Sequence, residues 1–266
     1  MDLSGCRIPE GIDKKLKELE PWSHYFKFDE DTYTGYYPEL TERFGNKTFC
    51  ASSDPKGVIE IFRREYERIE LSNTRLFMPI DYLKKIMRGE FNNCSVLDLG
   101  CNDGMKSLYF KRAGAGRVTG TEIRKGCIER ARFVNQISDL EVEFKNILVS
   151  ADDKDFSGAV EPADIVASFG LLYHLNDHKE HIRNLRKLTK KVMIMFSSYQ
   201  PKRVKQKEDR AHPFKSFTGK CVMPTKEDIL NMLIEAGFNT TVEIKYHPDM
   251  GPDEFVGNCV YLISFV

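Results

Sequence analysis

The chain has 266 residues, 41% apolar and 30% charged, with 40 basic side chains against 40 acidic ones. That length suits one large α/β domain or a core with an appended piece, and the zero formal charge argues against a general polyanion binder while leaving room for a local patch. No apolar run approaches the ~20 residues that cross a bilayer, Met1 to Glu10 lack the apolar stretch of a secretory leader, and seven scattered cysteines without a C-x-x-C pair fit neither a disulfide framework nor a zinc site. A cytoplasmic chain with reduced thiols, no membrane and no metal is therefore expected.

In chain order, an aromatic stretch comes first, Trp22-Ser23-His24-Tyr25-Phe26 through Tyr33-Thr34-Gly35-Tyr36-Tyr37. It has no clean period and is expected to be an ordered loop or cover. Asp54-Pro55 is a helix start, and Val58, Ile59, Phe62, Tyr66 and Ile69 follow at helical spacing. Ile80, Leu83, Ile86 and Met87 predict a second helix ending at Gly89. Residues 1–91 are thus expected to be a helical and aromatic extension that covers the active site, and 92–266 the main domain.

From Cys94 the rhythm is strand, turn, helix. Strands are predicted at Ser95 to Leu99, Arg117 to Glu122, Val142 to Ile147, Asp164 to Phe169 and Val192 to Phe196, with amphipathic helices between most of them. Thr225-Lys226-Glu227-Asp228 has the form of a capping box opening a helix that Gly237 stops. Thr241 to Tyr246 and Cys259 to Phe265 are the last strands, with no helix between them. The fold class is α/β: a doubly wound, seven-stranded, mostly parallel sheet with an antiparallel edge.

A doubly wound sheet binds its ligand at the carboxyl ends of its strands. The turn after the first strand is Gly100-Cys101-Asn102-Asp103-Gly104. A dinucleotide site needs G-x-G-x-x-G so that pyrophosphate can meet backbone amides. Here Asn102 replaces the second glycine, and the carboxylates of Asp98 and Asp103 would repel pyrophosphate but suit an ammonium or sulfonium.

Asp98-Leu99-Gly100-Cys101-Asn102-Asp103-Gly104 resembles the glycine-rich motif of class I S-adenosylmethionine-dependent methyltransferases, acidic-x-Gly-x-Gly-x-Gly, departing from it at Asn102. The resemblance implies a Rossmann-like fold and S-adenosylmethionine as cofactor. It implies that Asp98 and the loop hold the methionyl part, and that Glu122, closing the second strand, accepts both ribose hydroxyls. The ~20-residue spacing from loop to acid agrees with a ribose-binding carboxylate. Asn146 or Ile147, after the third strand, would meet the adenine.

Phe169-Gly170-Leu171-Leu172-Tyr173-His174-Leu175, after the fourth strand, is similar to a stretch in a methyltransferase subset that includes the bacterial tRNA wobble-uridine (mo5U34) enzymes. Trp22-Ser23-His24 with Thr34-Gly35 is similar to that group's aromatic segment. In such a fold the strand-four end lies beside the transferable methyl, so Phe169 and Gly170 belong with the cofactor-binding set. Methyl transfer also requires a proton to leave a hydroxyl or ammonium acceptor, which suits a neutral imidazole. His174 is the candidate base, with a structural role as the alternative; Tyr173 is a candidate wall or hydrogen-bond donor. His178 and His181, three apart on a helix, are expected to be a solvated helix start rather than a metal site.

The expected acceptor is a small metabolite methylated at oxygen or nitrogen. The alternative is RNA of the wobble-uridine type, received as a methyl or carboxymethyl acceptor by the basic segment 202–220, with Lys202, Arg203, Lys205, Lys207, Arg210, Lys215 and Lys220. That segment is equally compatible with a solvated loop, in which Phe214 and Phe217 would pack inward. A non-enzymatic subunit would have no physical need of Asp98, Gly100 and Glu122.

Overall fold

A computed structural model describes residues 1–3, 5–20, 22, 24, 26–28, 32, 34, 77–147, 158–202, 207–208, 220–221, 223–244 and 259–266. The predicted helix over Val58 to Ile69, Tyr246, Phe214, Phe217 and most of the basic segment lie outside these residues.

Seven strands form one sheet: β1 (Ser95–Leu99), β2 (Arg117–Thr121), β3 (Glu143–Lys145), β4 (Ala163–Phe169), β5 (Thr189–Ser198), β8 (Thr240–Ile244) and β9 (Cys259–Phe265). Their order is β3-β2-β1-β4-β5-β9-β8, with β1 to β5 parallel, β9 antiparallel to β5 and β8 antiparallel to β9. This is the predicted doubly wound sheet with its antiparallel edge. A separate two-stranded ladder pairs β6 (Lys207–Glu208) with β7 (Lys220–Cys221).

Alternation along the strands divides the core in two. Val96, Val118, Ile165, Ala167, Val192 and Ile194 face one layer, and Leu97, Leu99, Val166, Met193 and Met195 the other. The first layer receives α2 (Met105–Arg112) and α3 (Lys125–Ser138) through Met105, Leu108, Ile128 and Val134; the second receives α4 (His178–Leu188) and α5 (Lys226–Glu235) through Ile182, Leu185, Ile229 and Leu233. The capping box at Thr225 forms as expected, with Thr225 Oγ1 accepting from Asp228 N–H and Asp228 Oδ2 accepting from Thr225 N–H.

Several elements differ in extent from their expectation. β2 stops at Thr121, and Glu122 lies just beyond it, its amide donating to the Lys145 carbonyl. β3 keeps only three residues, and at its start Asn135 of α3 takes both the amide and the carbonyl of Val142. The helix through Ile80 and Leu83 gives way at Met87 to a 3-10 turn, Arg88–Asn93, that contains Gly89. A short helix, α1 (Ile12–Glu18), was not foreseen; Ile12 and Leu16 are its only long aliphatic side chains, two residues that define no period.

The described part of the aromatic segment is built into the core. Trp22, Phe26 and Phe28 are buried in the same cluster as Val96 and Val118. The indole N–H of Trp22 donates to the Leu16 carbonyl, and its ring lies against Phe26 and Phe133. Thr34 returns to Phe26 through two hydrogen bonds, one from each backbone amide. Its hydroxyl also donates to the His24 carbonyl, which fixes His24 beside the first sheet turn.

Candidate functional site

β1 has β2 on one side and β4 on the other, the point at which strand order reverses and ligands bind in such sheets. The register sets Leu99 beside Thr121 and Ser168, so the chain leaves β1 at Gly100 and β2 at Glu122 beside Phe169, the last residue of β4. Three predicted site residues, distant in sequence, are thereby brought to one rim.

The loop from Gly100 to Gly104 has positive φ at Gly100, Asn102 and Gly104 (70°, 55° and 83°). Asn102 thus keeps the left-handed conformation that a middle glycine would adopt, and asparagine tolerates it better than most side chains. Gly104 has no such alternative: a Cβ there would lie 2.7 Å from Phe144 and 2.8 Å from Ala131. The absent side chain lets the start of α2 approach α3 and β3.

Three carboxylates converge on this loop, each held differently. Asp98 is 1% exposed and accepts a 2.6 Å hydrogen bond from Ser107 Oγ on α2. Burial raises its pKa to about 6, against the lowering pull of Ser107 and Lys106; Glu122 adds to the rise. Asp103 is fully buried, accepts from the His24 amide at 2.9 Å and pairs with His24 Nδ1. Glu122 is 4% exposed and accepts from the Asn102 amide at 3.1 Å and the Arg124 amide at 3.0 Å. The Arg124 guanidinium forks onto both Glu122 oxygens, Nε and Nη2 each at 3.0 Å.

Asn146 Nδ2 donates to the Glu122 and Ile123 carbonyls at 2.8 and 2.7 Å, bracing the strand-two end, and Ile147 is partly buried against the second core layer. Phe169 closes β4 with its ring under the Lys106 ammonium, 5.2 Å from the centroid. Gly170 has φ 70°, and its amide donates to the Phe196 carbonyl. A Cβ on Gly170 would stand 3.3 Å from the Tyr173 hydroxyl, so that hydroxyl lies over the strand-four turn. Tyr173 and His174 share a 3-10 turn, Leu172–His174, with ring centroids 4.3 Å apart. His174 Nδ1 is shielded from solvent.

Of the two other helical histidines, one departs from its expectation. His181 is fully buried rather than solvated, with Nε2 3.3 Å from Ser168 Oγ, because its position on α4 faces β4 and not water. Burial lowers its pKa to about 3, and nearby His178 adds to the effect, so His181 is neutral in the folded chain. Among the described residues no cluster of histidine, cysteine, aspartate and glutamate could hold a metal, and no helix is long and apolar enough to cross a membrane. Cys94, Cys101 and Cys127 are free and buried, as expected of small apolar thiols.

Four residues that sequence reasoning did not select belong to this rim: His24, Lys106, Ser107 and Arg124. Arg124, two residues after the acid, and Ser107, in the first turn of α2, had a local signal. His24 was expected only as part of the covering segment, and its pairing with Asp103, 79 residues on, had no signal.

An acid-lined, glycine-turned loop at the switch point of a seven-stranded doubly wound sheet defines a class, the Rossmann-like S-adenosylmethionine-dependent methyltransferases. The methyltransferase domain family matches residues 47–243, and the chain belongs to that family. It is similar to ribosomal protein L11 methyltransferase of Fusobacterium nucleatum, 27% identical over 190 residues, covering 65% of this chain and 56% of that protein. It is also similar to the ubiquinone biosynthesis O-methyltransferase of Pelagibacter ubique, 32% identical over 106 residues, 39% of this chain and 41% of that one. The chain thus spans about half the length of these curated relatives. Among solved structures, the N-terminal domain of EvdMO1 in the presence of SAH and D-fucose shares the fold, with TM-score 0.62 and 17% identity over 96% of this chain and 95% of that one. Magnesium protoporphyrin IX methyltransferase of Synechocystis with bound SAH matches at TM-score 0.53 and 16% identity, covering 79% of this chain and 94% of that one.

Proposed function

We propose that this protein transfers a methyl group from S-adenosylmethionine to an oxygen or nitrogen of a small metabolite. The observation that carries the reading is Asp98, a buried carboxylate at the loop whose one hydrogen-bond partner among the described residues is the Ser107 hydroxyl. An ionised carboxylate in such a place is costly unless a cation meets it, and the cofactor brings an ammonium and a sulfonium. When bound, the cofactor supplies an activated methyl on that sulfonium.

The chain's own residues do the rest. Asp98 and the loop from Gly100 through Asn102, Asp103 and Gly104 receive the methionyl part, and Glu122 takes the ribose hydroxyls. Asn146 and Ile147 border the adenine. Phe169 and Gly170 form the floor on which donor and acceptor align, an orientation that can supply ~7–11 kcal/mol of the barrier. Tyr173 walls the acceptor side, and His174 takes the proton that leaves the acceptor. Residues 1–91 act as the cover, fastened to the loop by His24.

The ubiquinone relative's name gives an O-methyl transfer, and the magnesium protoporphyrin structure's name gives a small-molecule acceptor; both support the metabolite reading. The wobble-uridine reading is supported by the Gly170–Leu175 stretch and by the basic segment, of which Lys202 is exposed. A radiolabelled-methyl assay with metabolite extract in one arm and total tRNA in the other tests the proposal. Label in a small molecule is expected, together with loss of the acidic limb of the rate–pH profile in His174→Gln. Label confined to tRNA would overturn the acceptor assignment.

A further inference from the structure

The insertion between β5 and α5 is closed at its base. The Gln200 amide donates to the Pro224 carbonyl at 3.0 Å, and the Gln200 side chain donates to the Met223 carbonyl at 2.5 Å. The chain therefore leaves the domain and re-enters it at one point. That point lies at the same end of the sheet as the strand-four turn, because β5 runs parallel to β4 with Phe196 opposite Phe169. Within the insertion, the β7 backbone returns to that turn: Cα atoms of Lys220–Cys221 come within 8 Å of those of Leu172–His174. The insertion thus reaches the Tyr173–His174 turn from the β5 side.

Its base also carries a cavity of about 480 Å³, lined by Gln200 and Lys202 on one side and by Lys226, Glu227 and Asp228 of α5 on the other. Most of the charges here are already engaged. Lys226 is paired with Glu243 at 2.6 Å, and Asp228 is held in the capping box by Thr225. Lys202 is exposed, and no hydrogen bond or ion pair engages it among the described residues. Farther out, Glu208 stands opposite Lys220 in the ladder and offsets it. The sequence from Lys202 to Lys220 holds seven basic residues against two acidic ones in a chain of zero net charge, so the remainder of the chain is net acidic. Positive charge set apart in this way draws anions to the place where it is rooted.

We infer that the methyl acceptor is an anionic metabolite, whose carboxylate or phosphate is received by Lys202 in this cavity while its reacting oxygen or nitrogen lies at the Tyr173–His174 turn. Lys202 is then a specificity residue for the acceptor. The inference rests on the proposed methyl transfer to a metabolite and narrows the acceptor to one charge class.

Anion exchange of a metabolite extract at pH 7.5 tests it, with the flow-through and the desalted eluate each offered to the wild-type chain and methyl-labelled S-adenosylmethionine. Label in a small molecule of the eluate is expected. Phosphatase treatment separates the two sources of charge: a phosphate acceptor moves to the flow-through, a carboxylate acceptor stays, and either supports the inference. Lys202→Glu exchanges attraction for repulsion, so it should need about 5- to 10-fold more eluate for half-maximal rate, with the maximal rate little changed. Glu227→Gln should need less eluate than wild type, and added salt should weaken the wild type more than Lys202→Glu. Label in a small molecule of the flow-through alone overturns the inference and leaves the metabolite reading standing, a result that needs no variant to fold. An equal eluate requirement in Lys202→Glu and wild type also overturns it. Label confined to a parallel tRNA arm, or no label in any arm, removes the metabolite reading and this inference together.

Discussion

Replacing Asp98 by asparagine should stabilise the chain while spoiling its site. A carboxyl raised from 3.8 to about 6 carries a penalty of about 3 kcal/mol on its charged form. Between those two values the folded chain holds a proton that the unfolded chain has lost, so stability falls as pH rises through this window and is flat above it. About 2 kcal/mol of that loss falls between pH 4.5 and 7.5. Asparagine does not titrate and can still accept from Ser107 Oγ, so it escapes the penalty. Urea denaturation of both proteins without cofactor should therefore show the advantage of Asp98→Asn growing by about 2 kcal/mol from pH 4.5 to 7.5. With millimolar S-adenosylmethionine at pH 7.5 the order should reverse, because only the aspartate gains a cation. A stability difference that is the same at both pH values would refute the claim that Asp98 is a costly buried charge awaiting one.

Two further predictions concern its neighbours. The fork of Arg124 fills positions on Glu122 that ribose hydroxyls require, and its side chain is 38% exposed, so it can withdraw to water more readily than the backbone amides can. Arg124→Met should bind cofactor at least as tightly as wild type by calorimetry, and a tenfold loss would show that the guanidinium stays and assists. His24→Ala removes one partner of the fully buried Asp103, which should cost about 1–3 kcal/mol in urea denaturation. It should also expose the Trp22 segment to limited proteolysis, and unchanged stability would contradict the idea that His24 fastens the cover.

The alternating elements from Ser95 to Phe196 were legible because each buries apolar side chains at its own period, whatever its partner. Asp98, Gly100 and Glu122 were legible for a similar reason: their meaning lies in distance from a strand end. Asn102 read as a defect in the motif, and only its φ of 55° shows that the loop conformation survives the substitution. The partners of the carboxylates were not readable. Lys106 looks like any charge on an amphipathic helix until its ammonium is seen over Phe169, and His24 reaches Asp103 only because the N-terminal segment packs into the sheet's first core layer. His181 was misread since charge spacing along a helix does not say which face meets the sheet.

S-adenosylmethionine is expected to meet buried carboxylates at the ends of β1 and β2. Titration calorimetry of the wild-type chain and Glu122→Gln at pH 7.5 measures this directly. Saturable binding to the wild type, weakened by at least ~1 kcal/mol in the variant, is the predicted result. No binding at millimolar cofactor, or equal binding by the two proteins, would contradict it.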